Sequence, residues 1–355
     1  MISAPAVKEL LSSVKYILLD VDGVVWSGPL VLPKIPETLR YLRSIGKQVR
    51  FVTNNASISR ASLAKKFKDR GIEGVRVSDV YNSGYAAALR LRSICGGEDG
   101  LVRENIFVVG EEGLHDELRQ MLAPGYVTYG LELHDAEAVG GYNSAVVASA
   151  WKENVLRPPQ QEPELLPSGE ACKTNISLAD LSPGAVVVGL DTHFNMLKLS
   201  YASLCLQKNR RRSCTAHDGG KAQKHVHFIA TNMDPQIPIG EEGVLLPGAG
   251  SMVAAVSTAS GRQPDVVCGK PCVDLAKALF EAEGITDPRQ CLMVGDRLTT
   301  DIAFGNAAGC RTLLVLSGVE SLEDVARVEG EGNGNLLPEF IAPSLAVLLP
   351  GGCDE

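Results

Sequence analysis

Two carboxylates one residue apart, Asp20 and Asp22, close the apolar run Tyr16-Ile17-Leu18-Leu19, and Gly23 follows at once. A buried strand that delivers a nucleophile at its carboxyl end reads this way, and open α/β sheets keep their active sites at that end. Residues i and i+2 of an extended chain point to the same side, so both carboxylates reach one site. Two like charges there are costly without a cation, and the pair therefore points to metal-dependent chemistry on an anionic substrate. A strand ending in an ordinary Asp-Gly turn would carry the same residues with no chemistry, so the remaining motifs decide.

Three further segments have the same form, an apolar strand ending in polar groups. Phe51-Val52-Thr53-Asn54-Asn55 ends in a hydroxyl and two amides. A hydroxyl beside backbone N–H groups holds phosphate oxygens without adding charge, although Thr and Asn also serve as helix caps. Val266-Val267-Cys268-Gly269-Lys270-Pro271 presents an ammonium at a strand end. It is no P-loop, because the glycine required five positions before Gly269 is missing. Leu292-Met293-Val294-Gly295-Asp296-Arg297 adds a third acidic strand end, and Asp301 stands one helical turn further on. Hard oxygen donors of this kind suit Mg²⁺, while a helix N-cap at Asp296 is the competing reading. Together the segments hold carboxylates for a cation, a lysine and neutral phosphate donors. That is the inventory of phosphoryl transfer, where catalysis is mainly positioning and charge stabilisation. One of the first two aspartates can attack phosphorus, and the other can protonate the leaving oxygen and later activate water.

Positioning these groups takes alternating strands and helices. Strands are expected at 17–19, 48–53, 266–268, 291–294 and 312–316, with helices at 37–45, 60–70, 273–282 and 300–308, the pattern of βαβ units around a parallel sheet. Further strands at 107–110, 186–188 and 228–230 lie among polar insertions. The segments 152–180 and 208–224, the latter with Arg210-Arg211-Arg212, read as loops. The expected architecture is one α/β domain formed by 1–103 and 241–355, with 104–240 inserted as a second, smaller domain. The chain has 355 residues, 45% hydrophobic and 21% charged, which fits a globular protein with a large core. Its net charge of −8 argues against nucleic acid or an anionic membrane surface as partner. Without a membrane-length apolar run or a signal-peptide pattern, and with nine scattered cysteines, a cytoplasmic protein is expected. Cys268 and Cys272 flank Lys270 and read as inert thiols, with no second pair to make a zinc site.

In this order the four segments resemble the motifs of the haloacid dehalogenase (HAD) superfamily: DxDG, a strand-end Ser/Thr, a Lys, and GD with a second Asp. Val24-Val25-Trp26, Thr53-Asn54-Asn55, Gly189-Leu190-Asp191-Thr192-His193-Phe194, Ala230-Thr231-Asn232 and Gly269-Lys270-Pro271 narrow the resemblance. They are similar to the 4-nitrophenylphosphatase / phosphoglycolate phosphatase group, relatives of NagD-type phosphatases and pyridoxal phosphatase. The resemblance covers roughly residues 14–345 apart from the two loops. It implies a Rossmann-like core with a parallel sheet and a large α/β cap of the C2 type, inserted after the third core strand. Asp20 would be nucleophile and Mg²⁺ ligand, and Asp22 general acid/base with its backbone carbonyl on the metal. Thr53, Asn54 and Asn55 would bind the phosphoryl group, and Lys270 would hold nucleophile and phosphate together. Asp296 would ligate Mg²⁺, Asp301 would support its waters, and His193 would contact substrate from the cap. The expected substrate is a small phosphorylated metabolite of the 4-nitrophenyl phosphate, 2-phosphoglycolate or pyridoxal 5′-phosphate class, and relatives imply a homodimer through the cap. A phosphoprotein phosphatase and a noncatalytic phospholigand-binding protein are the rival readings.

Overall fold

The computed structural model describes residues 1–134, 155–156, 176–177, 183–212, 225–238 and 244–352. In chain order the sheet strands are β1 (Tyr16–Leu19), β2 (Gln48–Thr53), β3 (Val80–Asn82), β4 (Ile106–Val109), β5 (Thr128–Tyr129), β6 (Ala185–Val188), β7 (His227–Ala230), β8 (Val266–Val267), β9 (Cys291–Gly295), β10 (Arg311–Val315) and β11 (Phe340–Ala342). The helices used below are α1 (Ile35–Ser44), α2 (Arg60–Asp69), α3 (Glu112–Arg119), α4 (Met196–Arg212), α5 (Ala249–Ser260) and α6 (Asp274–Glu283). The chain divides into two compact units, one of Met1–Ala86, Gln236–Pro247 and Cys268–Glu355, the other of Ala87–Pro235 and Gly248–Val267.

In the first unit a six-stranded sheet runs β11-β10-β9-β1-β2-β3, every pair parallel. Its central strands β1 and β9 are apolar along their length because both faces are covered. Ile17 and Leu19 share a core with Phe51, Leu292, Val294 and Leu313, joined by Leu39 and Leu42 of α1 and Phe67 of α2. α1 buries Ile35, Leu39 and Leu42, an apolar stripe at helical spacing. Leu19 stands opposite both Phe51 and Val294, so the ends of β1, β2 and β9 emerge side by side.

One buried polar network ties this sheet to α6. Arg50 of β2 donates from Nε and Nη2 to both Glu283 carboxylate oxygens at 2.6 Å, and its Nη1 lies 3.5 Å from Asp79. Planar guanidinium and carboxylate meet as a fork, the strongest form of such a pair.

The second unit holds a five-stranded parallel sheet, β8-β7-β6-β4-β5. Val186, Val188, Phe107, Phe228 and Ala230 pack with Leu197, Tyr201 and Leu206 of α4 and with Val253 and Val256 of α5. This corrects the expected boundaries. Residues 248–267 belong with the insert because α5 fills its core and β8 pairs with β7. Val266–Val267 is therefore not a core strand, and Lys270 stands on the segment that re-enters the first unit. Of the loop expected at 152–180, Val155–Leu156 and Ile176–Ser177 pair antiparallel, and the rest lies outside the described residues. The loop expected at 208–224 begins as helix: α4 continues through Arg212, as its good helix-forming lysine and arginines allow. Residues 213–224 lie outside the described residues. No helix among the described residues is long and apolar enough to cross a membrane.

Fully buried His115 of α3 places Nδ1 2.8 Å from Thr128 Oγ1, while its Nε2 has no partner among the described residues. Burial, reinforced by the charges of Arg119, His134 and Lys198, pushes its pKa down to about 3.

Two predictions concern stability. Arg50→Met strands the Glu283 carboxylate without its cation and should lower stability in urea by about 3 kcal/mol; an unchanged midpoint would show that the fork contributes nothing. His115 stays neutral in the fold but takes a proton on unfolding. The stability it contributes is thus lost as pH falls from its ordinary 6.5 toward about 3. His115→Gln should flatten the decline in melting temperature over that window, measured by circular dichroism, and a slope equal to that of the wild type would count against this origin.

Candidate active site

Asp20 leaves β1 with its N–H bonded to Val294 O of β9 at 2.9 Å, which fixes its backbone beside the neighbouring strand end. Asp296 follows β9 directly. The chain then makes a π-helical turn, Leu298–Ile302, which returns Asp301 toward the strand end. Asp301 Oδ2 accepts from the backbone N–H groups of Asp296 at 3.2 Å and Arg297 at 3.1 Å. Asp296 Oδ2 accepts from Val319 N at 2.9 Å. Gly23, at φ +85°, and Gly318 lie against the Asp296 carboxylate, and a Cβ on either would overlap it. Only glycine both adopts that backbone region readily and leaves this room.

Lys270 is 2% exposed, and its ammonium makes three bonds: to Asp20 Oδ1 at 2.8 Å, Asp301 Oδ1 at 2.7 Å and Val52 O at 2.8 Å. An ammonium has three donors, and all are used. Its peptide is clamped as well. Lys270 N donates to Asn54 Oδ1 at 2.8 Å, and Asn54 Nδ2 donates to Lys270 O at 3.0 Å. A side-chain amide at the end of β2 thus holds the lysine segment as a neighbouring strand would.

Asp20, Asp296 and Asp301 offer oxygens that all lie within 4.8 Å of one another. Burial, then the charge of Asp301 and of Asp22, raises Asp20 to about 7 although Lys270 opposes the shift. Burial and the charges of Asp301 and Asp20 raise Asp296 well above the carboxylate range. Burial alone would lower Lys270, but Asp20 and Asp301 outweigh it and raise it. Among the described residues Lys270 is the one cation in contact with these three acids, leaving two uncompensated negative charges when all are ionised. The donor set fits a divalent, oxygen-seeking cation such as Mg²⁺. Asp20 and Asp296 are the carboxylates available to it, since both oxygens of Asp301 are already engaged.

Asp22 stands apart from that trio and accepts from the Trp26 indole, Nε1 to Oδ1, at 2.8 Å. Thr53 Oγ1 accepts from Asn55 N at 3.1 Å, and Asn55 Oδ1 accepts from Ser57 N at 2.9 Å and Ser57 Oγ at 2.6 Å. The Asn55 side chain is thereby committed to a polar turn, the alternative its residue type allowed. The first unit thus gathers Asp20, Asp22, Thr53, Asn54, Lys270, Asp296 and Asp301. His193 lies in the second unit, its side chain 52% exposed and stacked on His134 at 4.3 Å. Its N–H bonds Asp191, which forms a fully buried pair with Lys198 at 2.6 Å. Sequence reasoning did not find the Trp26 bond, the Asn54 clamp or the Gly318-Val319 backbone that holds Asp296. The first had one visible signal, an indole four residues after Asp22. Cys268 is buried and Cys272 is half-buried, and neither is in a disulfide.

The family model for haloacid dehalogenase-like hydrolases matches residues 17–122, and a HAD-hydrolase-like model matches residues 267–348. Over 323 residues the chain is 35% identical to phosphoglycolate phosphatase 2 of Arabidopsis thaliana, covering 90% of this chain and 89% of that protein. The solved 4-nitrophenylphosphatase of Thermotoga maritima matches at a TM-score of 0.66 and 26% identity, over 95% of this chain and 96% of its own. A glycerol phosphate phosphatase of Mycobacterium tuberculosis, solved in complex with magnesium, matches at a TM-score of 0.65 and 27% identity, over 96% of this chain and 78% of its own. With a relative this similar over nearly its whole length, the chain belongs to the haloacid dehalogenase-like hydrolases.

Proposed function

We propose that the chain is a Mg²⁺-dependent phosphatase that hydrolyses small phosphomonoesters through an aspartyl-phosphate on Asp20. The observation that carries this reading is the buried Lys270 ammonium shared by Asp20 and Asp301, with Asp296 beside them and Asp22 apart. Such an ammonium favours the ionised form of the nucleophilic carboxylate and holds it in one orientation, so that attack needs little reorganisation. The relatives support the class, since phosphoglycolate, glycerol phosphate and 4-nitrophenyl phosphate are all phosphate monoesters.

In the first step an Asp20 oxygen bonds to phosphorus as the bond to the leaving oxygen breaks, and Asp22 gives that oxygen its proton. In the second, Asp22 takes a proton from water as the water oxygen attacks phosphorus, the bond between the Asp20 oxygen and phosphorus breaks and phosphate departs. The Thr53 hydroxyl and the Asn54 backbone receive the phosphoryl oxygens, and Lys270 steadies the charge. Asp20, Asp296 and the Asp22 carbonyl would hold Mg²⁺, which when bound supplies positive charge between carboxylate and phosphate. On this reading the second unit is the cap, and half-exposed His193 is its candidate substrate contact. The presence of both Asp20 and Asp22 favours catalysis over a noncatalytic phospholigand-binding role.

Asp20→Asn should reduce kcat for 4-nitrophenyl phosphate by about three orders of magnitude or more, with the circular dichroism spectrum unchanged. Appreciable turnover by the folded variant would remove the covalent mechanism. EDTA should abolish hydrolysis and Mg²⁺ restore it; hydrolysis persisting after exhaustive chelation would refute the metal assignment. Ranking 2-phosphoglycolate, glycerol phosphate, pyridoxal 5′-phosphate and a phosphopeptide by kcat/KM identifies the substrate, and a preference for the phosphopeptide would reverse the small-molecule reading.

A further inference from the structure

Trp26 is 1% exposed, yet its single polar atom is directed at a carboxylate of the site: Nε1 donates to Asp22 Oδ1 at 2.8 Å. The backbone brings the two residues together. Gly23 N donates to Trp26 O at 2.7 Å, and the N–H groups of Val25 and Trp26 both return to Val21 O, at 2.9 and 3.3 Å. The five residues after Val21 therefore close a tight turn that brings the indole back to Asp22. The ring itself is held on several sides. Phe67 lies 4.7 Å away between centroids, the Arg70 guanidinium is 4.4 Å from the ring centroid and the Lys66 ammonium 5.2 Å.

We propose that Trp26 is a positioning residue that reserves Asp22 Oδ2 for the proton exchanged with the leaving group and with water. This rests on the acid/base role of Asp22 given above. An indole N–H is a donor and never an acceptor. The carboxyl oxygen it touches therefore accepts, and because a carbonyl oxygen accepts better than a hydroxyl oxygen, the bond favours the O–H of protonated Asp22 on the other oxygen. A carboxylic acid free to rotate would present its proton in several directions. Pinned through Oδ1, it presents Oδ2. During phosphoryl transfer the Oδ2 proton passes to the leaving oxygen as its bond to phosphorus breaks. In hydrolysis the same oxygen takes a proton from the attacking water. The Arg70 and Lys66 charges over the indole draw electron density from the ring, which strengthens N–H donation.

The leaving group separates this role from simple packing. An alkoxide needs a proton to depart, whereas 4-nitrophenolate leaves readily without one. Because kcat/KM reports only the steps through the first irreversible one, it covers substrate binding and phosphoryl transfer to Asp20 and excludes hydrolysis of the intermediate. Trp26→Phe keeps most of the packing and removes the N–H; a benzothiophene isostere at position 26 removes the N–H with the ring size retained. For either variant, the ratio of kcat/KM for an alkyl ester (2-phosphoglycolate or glycerol phosphate) to that for 4-nitrophenyl phosphate should fall about tenfold or more, part of the effect general acid catalysis supplies. The ratio cancels any difference in folded fraction. Asp22→Asn, measured alongside, should show the same selectivity more strongly. If Asp22→Asn is selective and both Trp26 variants lose the two activities equally, or lose neither, the positioning role is overturned while the acid role stands. If Asp22→Asn shows no selectivity, the acid role fails and this inference fails with it.

Discussion

One buried ammonium makes the site possible. Asp20, Asp296 and Asp301 could not share so small a volume without a cation, and Lys270 reaches two of them directly. Its third donor goes to Val52 O, so the lysine is anchored to the end of β2 and not only to its carboxylate partners. The balance is deliberately incomplete in electrostatic terms: burial still raises Asp20 to about 7 despite the salt bridge. Coulomb attraction to one lysine does not offset the desolvation of the group together with its like-charged neighbours. A fold with more lysines here would be quieter, but it would have little affinity for a divalent cation.

The parallel sheet is what lets this concentration of charge occur at one place. Strands β2, β1 and β9 lie side by side with Leu19 opposite both Phe51 and Val294, and their polar continuations leave at the same edge. The apolar segments of those strands are completely buried, so each carboxylate is the first polar group after a dry run. The site's polar backbone groups are likewise accounted for, by the π-helical turn at Asp301 and the Asn54 amide on the lysine peptide. The second unit repeats the logic with a different outcome. Its buried Asp191–Lys198 pair is closed on itself, one acid to one base, and it holds the His193 loop in shape.

The strands β1, β2 and β9 were legible because each is an apolar run that stops at a polar residue, a pattern visible without any partner. Asp20, Thr53, Lys270, Asp296 and Asp301 could be singled out by residue type and order, and the fold puts all five in one unit. What escaped depends on pairing across space. Val266–Val267 is too short to carry a signature of its sheet, and Val-Val reads alike beside β7 or in the core, so Lys270 was assigned to a core strand end. The short strands β3 and β11 lack a distinguishing run, and Arg50 meets Glu283 across 233 positions of chain. The boundary at 248–267 escaped for the same reason: α5 is a helix of small residues whose destination only the neighbouring core decides. The indole on Asp22 was not foreseen, because nothing in a linear motif shows a turn folding Trp26 onto it.

The central strand of the first unit has a neighbour made early and a neighbour made late. β2 follows β1 within some thirty residues, but β9 is not synthesised until residue 291, after every residue of the second unit. Until then β1 exposes a full edge of unpaired N–H and C=O groups together with a completely apolar face. Asp20 at its tip must also wait for Lys270. The nascent chain therefore carries a carboxylate without its counter-ion and a core strand without half its sheet, and the first unit closes only when its last segment is delivered. The partners of Asp20 and the missing half of the sheet thus arrive together, in the late part of this chain.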